Sequence, residues 1–461
     1  MKTLLTFIIA MICAFQLFAQ KSEPLDTAQF SSPEQALLGT LLYRMAEKNE
    51  NVSAAQTTKL KPWQKAAIVT RFASEVKYNF AGYDRFSQDY DSICQSELPT
   101  IVATESDEEF GRKIQLFANR LGDGHTSISI DADVSYAPIL QKRIDNKVFV
   151  TEVFSDEYTV KGVKRGTEII AINDVPIIEY ANKFVVPYIA SSTPQWSATY
   201  PFNSINLTKG YRGEPIKLTF RNAGGKSFDI IDNRQSPWGI AQTDMSIKFE
   251  SLCGNIGLLT IPSFQKGDFN PNRLLELADT IFASDGLIID IRNNTGGNSG
   301  YGELVMKLLA TDTIPQASWR TPKYEAAYAS WNRPWETIEI PSDSIIPIHF
   351  QHPQIPQYDK PIVLLVSGNT FSAAEDFTVL FKNANRGIVM GTPTAGSTGN
   401  PIRFDLGWGY WGRICTRYEK LADGKEFIGI GIQPDIIIEE TEDVIFGKDN
   451  LIEAALQKLK E

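Results

Sequence analysis

The sequence predicts an α+β multidomain protein: a helical N-terminal domain, a β-rich middle domain and an α/β C-terminal core. Three textures predict it. Early in the chain apolar residues recur at helical spacing, first Ile68, Phe72, Val76 and Phe80, then Phe110, Ile114, Phe117 and Leu121. Between 135 and 233 short β-type runs alternate with turns. The last half contains continuous apolar runs of strand length, 286–291 and 361–366, each followed by a Gly/Asn turn and a helix, as expected of strands covered on both faces. With 461 residues and 43% apolar content the chain has material for two or three cores.

In chain order, the first residues read as an export signal. Lys2 supplies a positive charge, residues 4–18 are apolar except Thr6 and Gln16, and Leu17-Phe18-Ala19 before Gln20 suits cleavage after Ala19. The apolar stretch is shorter than the roughly 20 residues a membrane span needs, and no later stretch is long and apolar enough, so no stable membrane span is expected. Ser106 and Glu109 form a capping-box pattern at the start of the second helix, and Gly122 suits its C-terminal end. His125, one of three histidines, then follows the helix in Gly122-Asp123-Gly124-His125-Thr126 and precedes the alternating run 126–130, which reads as an edge strand.

In the C-terminal half, the strand 361–366 leads through Asn369-Thr370-Phe371-Ser372 into a helix whose buried side carries Ala374, Phe377, Phe381 and Ala384; Gly387 ends it and 388–390 begins the next strand. This is a βαβ unit with Ser372 at the helix N-terminus. Ser372-x-x-Glu375 is itself a capping box, and most such motifs only cap. A histidine and a serine at the ends of elements are, however, where a base and a nucleophile are displayed.

Composition narrows the partners. A net charge of -10 without any Lys/Arg cluster argues against nucleic acid and leaves peptide, protein or small-molecule partners. After cleavage Cys94, Cys253 and Cys415 remain, enough for one disulfide at most. Their spacing fits no zinc pattern, there is no His-Glu-x-x-His, and no metal or cofactor is expected.

Two resemblances sharpen this reading. Residues 147–153 and 162–176, with the charged turn Lys164-Arg165-Gly166, the buried Ile169-Ile170-Ala171-Ile172 strand and the Asn173-Asp174 turn, resemble the core of a PDZ domain, although a Gly-Leu-Gly-Phe carboxylate loop is missing and 180–212 looks inserted. That likeness implies peptide binding by strand addition. The ordered segments 289–298, containing Gly296-Gly297, 371–375, 391–396 and 429–435, together with Gly122-Asp123-Gly124-His125-Thr126, resemble the S41 serine peptidases and cover nearly all of the chain after the signal.

The resemblance implies an α/β catalytic core of the ClpP/crotonase-like type at 234–461, behind a signal peptide at 1–19, an N-terminal helical domain at 20–130 carrying the His motif, and a PDZ-like domain at 131–233. It implies an exported serine endopeptidase with Ser372 as nucleophile and backbone N–H groups of Ala373 and Gly296 or Gly297 as oxyanion donors. The lysine of the Ser-Lys branch is absent from Thr394-Ala395-Gly396-Ser397-Thr398, so the tricorn-like branch is the better match, with His125 as base. There a serine can precede the histidine, where this chain has Gly124, and a glutamate orients it; that slot is Ile428 here, with Glu426 two residues earlier on the same strand face. The alternative is a non-catalytic secreted carrier of peptides or apolar ligands on the same fold, for which Trp319, Trp331, Trp335, Trp408 and Trp411 are candidate pocket linings.

Overall fold

A computed structural model describes residues 59–85, 90–203, 205–234, 244–310, 313–331, 333, 335–341 and 358–461. The expected signal peptide lies outside them. The C-terminal half is built on a six-stranded sheet ordered Lys248–Leu252, Ile256–Thr260, Gly286–Asp290, Ile362–Val366, Ile388–Gly391 and Ile436–Ile437. Its first pair is antiparallel and the rest are parallel. The continuous apolar runs have the meaning expected of them. Leu259, Ile289, Leu364 and Val389 point into a core shared with the helices Pro271–Ala283, Ser299–Leu309 and Ala373–Asn383. Their neighbours Leu258, Ile288, Val363 and Met390 point the other way, onto the C-terminal helix Asn450–Lys458. Burial on both faces removes the polar alternation of a half-exposed strand.

The middle of the chain forms a separate antiparallel sheet in the order Ile139–Ile144, Lys147–Val153, Glu168–Ile172, Ile216–Arg221 and Ser227–Asp232. It has its own core, from Ile139, Val148, Ile169, Leu218 and Phe220 to Tyr180 of the helix Ile177–Phe184. Asn173 and Asp174 take left-handed φ values of 49° and 63°, the turn that Asn-Asp tolerates best among non-glycine pairs.

The early helices are Pro62–Asn79, Tyr90–Val102 and Asp107–Asn119. All eight apolar positions read from the spacing are buried, and Ser106 caps its helix by accepting from Glu109 N–H at 3.0 Å. These helices do not close a core on themselves. Phe72, Phe110 and Phe117 share one with Tyr410, Ile414, Tyr418 and Ile428 from the far end of the chain. The reason is a β pairing: Ser127–Ile130 adds antiparallel to Tyr410–Ile414, which in turn pairs with Ile402–Gly407. The strand after His125 is thus the edge of a three-stranded ribbon, and that pairing brings the N-terminal histidine loop to the C-terminal core. Among the described residues no disulfide joins Cys94, Cys253 and Cys415.

Candidate active site

Ser372 sits at the turn between the strand Ile362–Val366 and the helix Ala373–Asn383, with φ 57° and ψ -125°. A non-glycine residue there carries strain of about 1–3 kcal/mol. Hydrogen bonds on both flanks hold the turn: Phe371 N–H donates to Asn294 O and Ser372 N–H to Ser397 O, each at 3.1 Å. The Glu375 carboxylate also accepts from Ser372 N–H at 3.3 Å, but the Ser372 hydroxyl makes no capping bond. It faces the His125 ring instead, with Oγ 2.9 Å from Nε2.

His125 is fully buried, and three neighbours fix its loop. Asp123 accepts from His125 N–H and from Thr126 Oγ1, each at 2.9 Å, and from Tyr418 OH at 3.1 Å. Phe371 lies flat on the imidazole, with centroids 4.5 Å apart. On the far nitrogen, Nδ1 is 2.8 Å from Ser397 Oγ. If Nε2 is to accept the Ser372 proton, the neutral ring carries its hydrogen on Nδ1 and donates it to Ser397. Burial, helped by the Arg413 guanidinium, holds His125 well below the usual histidine range, which keeps the imidazole in that neutral form.

Behind Ser397 lies Glu375, also fully buried. Its carboxylate accepts from Ser397 N–H at 2.8 Å, Gly396 N–H at 2.7 Å and Thr394 Oγ1 at 2.5 Å. Burial pushes the carboxyl up to about 7 even against these donors. A chain of contacts therefore runs from Ser372 through His125 and Ser397 to Glu375. Glu426, the carboxylate expected to orient the histidine, stands elsewhere: it pairs with Arg85 at 3.0 Å and lies 3.7 Å from Lys420, on an exposed part of the surface. Its strand parity suggested the position, but the chain around 427–431 turns rather than staying extended, so parity does not carry its side chain to the ring.

The glycine pair packs directly against the serine turn. Gly296 and Gly297 have φ 91° and 143°, and a Cβ on Gly296 would lie 2.7 Å from Ser372 Cβ and 2.8 Å from Ala373 N. A Cβ on Gly297 would lie 2.0 Å from Phe264 O. Either side chain would thus displace backbone as well as block the cleft. Gly296 N–H is taken by Asn294 Oδ1 at 2.9 Å, whereas among the described residues the Gly297 and Ala373 N–H groups meet no acceptor.

Residues 190–200, inside the stretch read as an insertion, brace the site. Ser192 Oγ accepts from Gly124 N–H at 2.8 Å, Thr193 Oγ1 donates to Ala395 O at 2.8 Å, and Gln195 Nε2 reaches Thr394 O and Ile430 O at 2.8 and 2.7 Å. Trp196 stacks on Phe371 and Tyr200 on Trp196, at 4.4 and 4.1 Å, extending the ring stack that begins at His125. Sequence reasoning missed Ser397, the second role of Glu375, Asn294 and this brace. For Ser397 a signal existed: a hydroxyl stands in the stretch that lacks the lysine. The five candidate tryptophans have separate surroundings: Trp335 lies among Tyr78, Tyr83 and Tyr324, Trp408 meets Trp63, Trp331 meets Tyr328, Trp411 bonds Asp131, and Trp319 lies under Arg417.

Comparison with known proteins agrees with this geometry. Residues 255–438, which carry Gly296, Gly297, Ser372, Glu375 and Ser397, match the model of Peptidase family S41. A protein of Chlamydia trachomatis serovar D is 32% identical over 110 residues, 22% of this chain and 18% of its own length. A carboxy-terminal-processing protease of Bartonella bacilliformis is 30% identical over 82 residues, 18% of this chain and 19% of its own. The matched region thus spans less than a fifth of either relative. The structure of mature CPAF complexed with lactacystin superposes with a TM-score of 0.67 at 15% identity, covering 86% of this chain and 98% of that one, a likeness of fold. The segment that builds the serine turn, the glycine pair and the Ser397 loop is therefore similar to Peptidase family S41, and the chain as a whole shares the fold of the solved relative.

Proposed function

We propose that this protein is an exported serine endopeptidase in which His125 activates Ser372. The observation that carries the reading is the 2.9 Å contact between Ser372 Oγ and a buried, neutral imidazole held from behind by Ser397. A serine hydroxyl at its ordinary pKa is a poor nucleophile; Nε2 accepts its proton as Oγ attacks the peptide carbonyl. The imidazolium that forms is stabilised at Nδ1 by Ser397, whose own backbone is fixed by Glu375. The oxyanion is received by the unpaired N–H groups of Ala373 and Gly297 at the start of the Ala373–Asn383 helix, where the helix dipole adds to them. His125 then gives its proton to the leaving amine, and water cleaves the acyl-enzyme by the same route in reverse. Gly296 acts differently: with its N–H bonded to Asn294, it lets the loop approach Ser372 closely.

The other parts of the reading rest on sequence features. Export follows from residues 1–19, and peptide tethering from the PDZ-like pattern of 147–176, supported by a separate sheet whose last strand, Ser227–Asp232, ends the strand order. The tryptophans that suggested a carrier do not share a common lining, and no observation favours that alternative.

The test is covalent labelling of the purified protein with a fluorophosphonate, with the modified residue located by mass spectrometry. Labelling at Ser372, lost in His125→Ala, is the expected result. A protein that neither labels nor cleaves any peptide in a proteome-derived digest contradicts the proposal.

A further inference from the structure

A pair of acidic side chains stands behind the reacting groups, and the mechanism does not use it. Asp376 lies in the first turn of the Ala373–Asn383 helix, where its N–H donates to Ser372 O at 3.0 Å. Its Oδ2 accepts from Ser299 Oγ at 2.5 Å, and Ser299 opens the helix Ser299–Leu309 two residues after Gly297. Glu419, in the strand Tyr418–Lys420, is buried and accepts from Thr398 Oγ1 at 3.1 Å. Thr398 directly follows Ser397. The side chains of Asp376 and Glu419 come within hydrogen-bond reach of each other. One contact therefore joins the loop of the glycine pair, the serine helix and the Ser397 loop.

Two ionised carboxylates in contact can only accept, and they repel; a proton between them turns the contact into a hydrogen bond. Asp376 Oδ1 is buried and meets no donor among the described residues, as suits an oxygen that carries a proton. Burial and the Glu419 charge hold the Asp376 carboxyl well above the ordinary aspartate range. Of the surrounding charges, Arg417 pairs with Glu419 and so answers the single negative charge that the protonated pair keeps. The helix Ser299–Leu309 contributes the Ser299 hydroxyl, and the Cys415 thiol near Glu419 is kept neutral by burial. Other charges nearby are committed elsewhere: Glu375 to the 394–397 loop, Lys382 to Asp435, Lys420 to Glu339 and Glu426, and Arg320, on the strand beside Glu419, to Asp84.

We propose that Asp376 and Glu419 are positioning residues of the peptidase: sharing one proton, they clasp the glycine-pair loop, the serine helix and the Ser397 loop together, and the clasp opens when that proton passes to solvent. This rests on the peptidase reading and adds to it a loss of rate at alkaline pH. Without the proton, two buried negative charges face the one charge of Arg417. Their repulsion falls on the segments that carry Gly297, Ser372 and Ser397, and small misplacements there cost rate before they cost fold.

The pH profile of fluorophosphonate labelling, read on the full chain in wild type, Asp376→Ala and Asp376→Asn, tests it. Alanine breaks the clasp and should label about tenfold or more slowly than wild type near neutrality. Asparagine keeps the donor of the protonated pair at every pH, so it should restore most of that rate and lack the alkaline fall that wild type shows. Glu419→Gln, whose amide can donate to an ionised Asp376, should also remove the alkaline fall, and it serves if Asp376→Asn does not fold. An alkaline fall unchanged in the folded amide variants, or none in wild type, overturns the inference. Thermal unfolding against pH needs no catalysis and keeps the two readings apart. Asp376 holds its proton in the folded chain and releases it in the unfolded one, so wild type should lose stability as the pH rises from the ordinary aspartate range toward the folded pKa, and Asp376→Asn should lose less. Equal slopes would reject the clasp. That difference in slope, in a wild type that labels at no pH, would retain the shared proton and reject the peptidase.

Discussion

Ser372 holds an unfavourable backbone conformation while its hydroxyl points at His125 rather than capping its own helix. Two substitutions separate these contributions. Ser372→Ala should abolish peptidase activity by three or more orders of magnitude and cost about 1 kcal/mol for the lost hydrogen bond, with no cap to lose. Ser372→Gly should be equally inactive yet more stable than Ser372→Ala, because glycine occupies φ 57° without the steric penalty. Thermal unfolding of the pair reads the difference, and equal midpoints would mean that the turn is not strained. A second contrast concerns the base. Ser397→Ala should lower kcat by about ten- to a hundredfold, since Nδ1 loses the partner that sets the tautomer, whereas Glu426→Gln should stay within about twofold of wild type because Glu426 meets Arg85 and Lys420 instead. The reverse order of effects would restore the carboxylate assignment. Gly124 fits the same picture: a Cβ there would lie 2.9 Å from Ser397 Oγ, so a side chain before the histidine and a hydroxyl at 397 compete for one space.

At the scale of elements, the site depends on loops from distant parts of the chain holding one another. Gln195 bonds both the Thr394 loop and the Ile430 loop, which also meet directly through Gly429 N–H to Gly396 O and Thr394 N–H to Ile432 O. Gln195→Ala should reduce the rate of fluorophosphonate labelling by about tenfold or more while moving the melting temperature only a few degrees, because small misplacements of Ser397 and His125 affect rate far more than fold. An unchanged labelling rate would make the brace merely structural. Two of the buried titrating groups, His125 and Glu375, set opposite pH trends. His125 lies below its unfolded value of 6.5, so the folded protein binds fewer protons than the unfolded chain. Its contribution to stability is complete above 6.5 and lost as the pH falls toward its folded pKa. Glu375 is raised from 4.5 to about 7, so its contribution is complete below 4.5 and lost as the pH rises through about 7. For catalysis the expected consequence is that the acid limb of kcat/KM falls below pH 6.5, since the neutral base survives there. A limb at or above 6.5 would show His125 to be solvated in the working enzyme.

For the whole molecule, what could be read from the sequence depended on how local its cause is. The Phe110–Leu121 spacing, the Ser106 cap and the doubly covered strands are set within a few residues, and they stand where the periodicities put them. The segments carrying His125 and Ser372 were also legible, as element ends with reactive side chains. What was not legible is long-range. No local pattern tells that Ser127–Ile130 pairs with Tyr410–Ile414, and it is this pairing that brings residues of the C-terminal half into the helical core beside the histidine loop. Ser397 was hidden for a similar reason: its role is defined only by the ring that the fold places 2.8 Å away, and strand parity, applied to Glu426 across a turning segment, pointed to the wrong side chain for that contact. The central claim is that one chain-spanning pair, His125 and Ser372, does the chemistry. Labelling by a fluorophosphonate, followed over time in wild type and His125→Ala, tests it most directly. The account predicts modification of Ser372 in wild type and a loss of at least a thousandfold in rate in the variant, with the melting temperature retained. Undiminished labelling of Ser372 in folded His125→Ala would contradict it and send the search for the base to another residue.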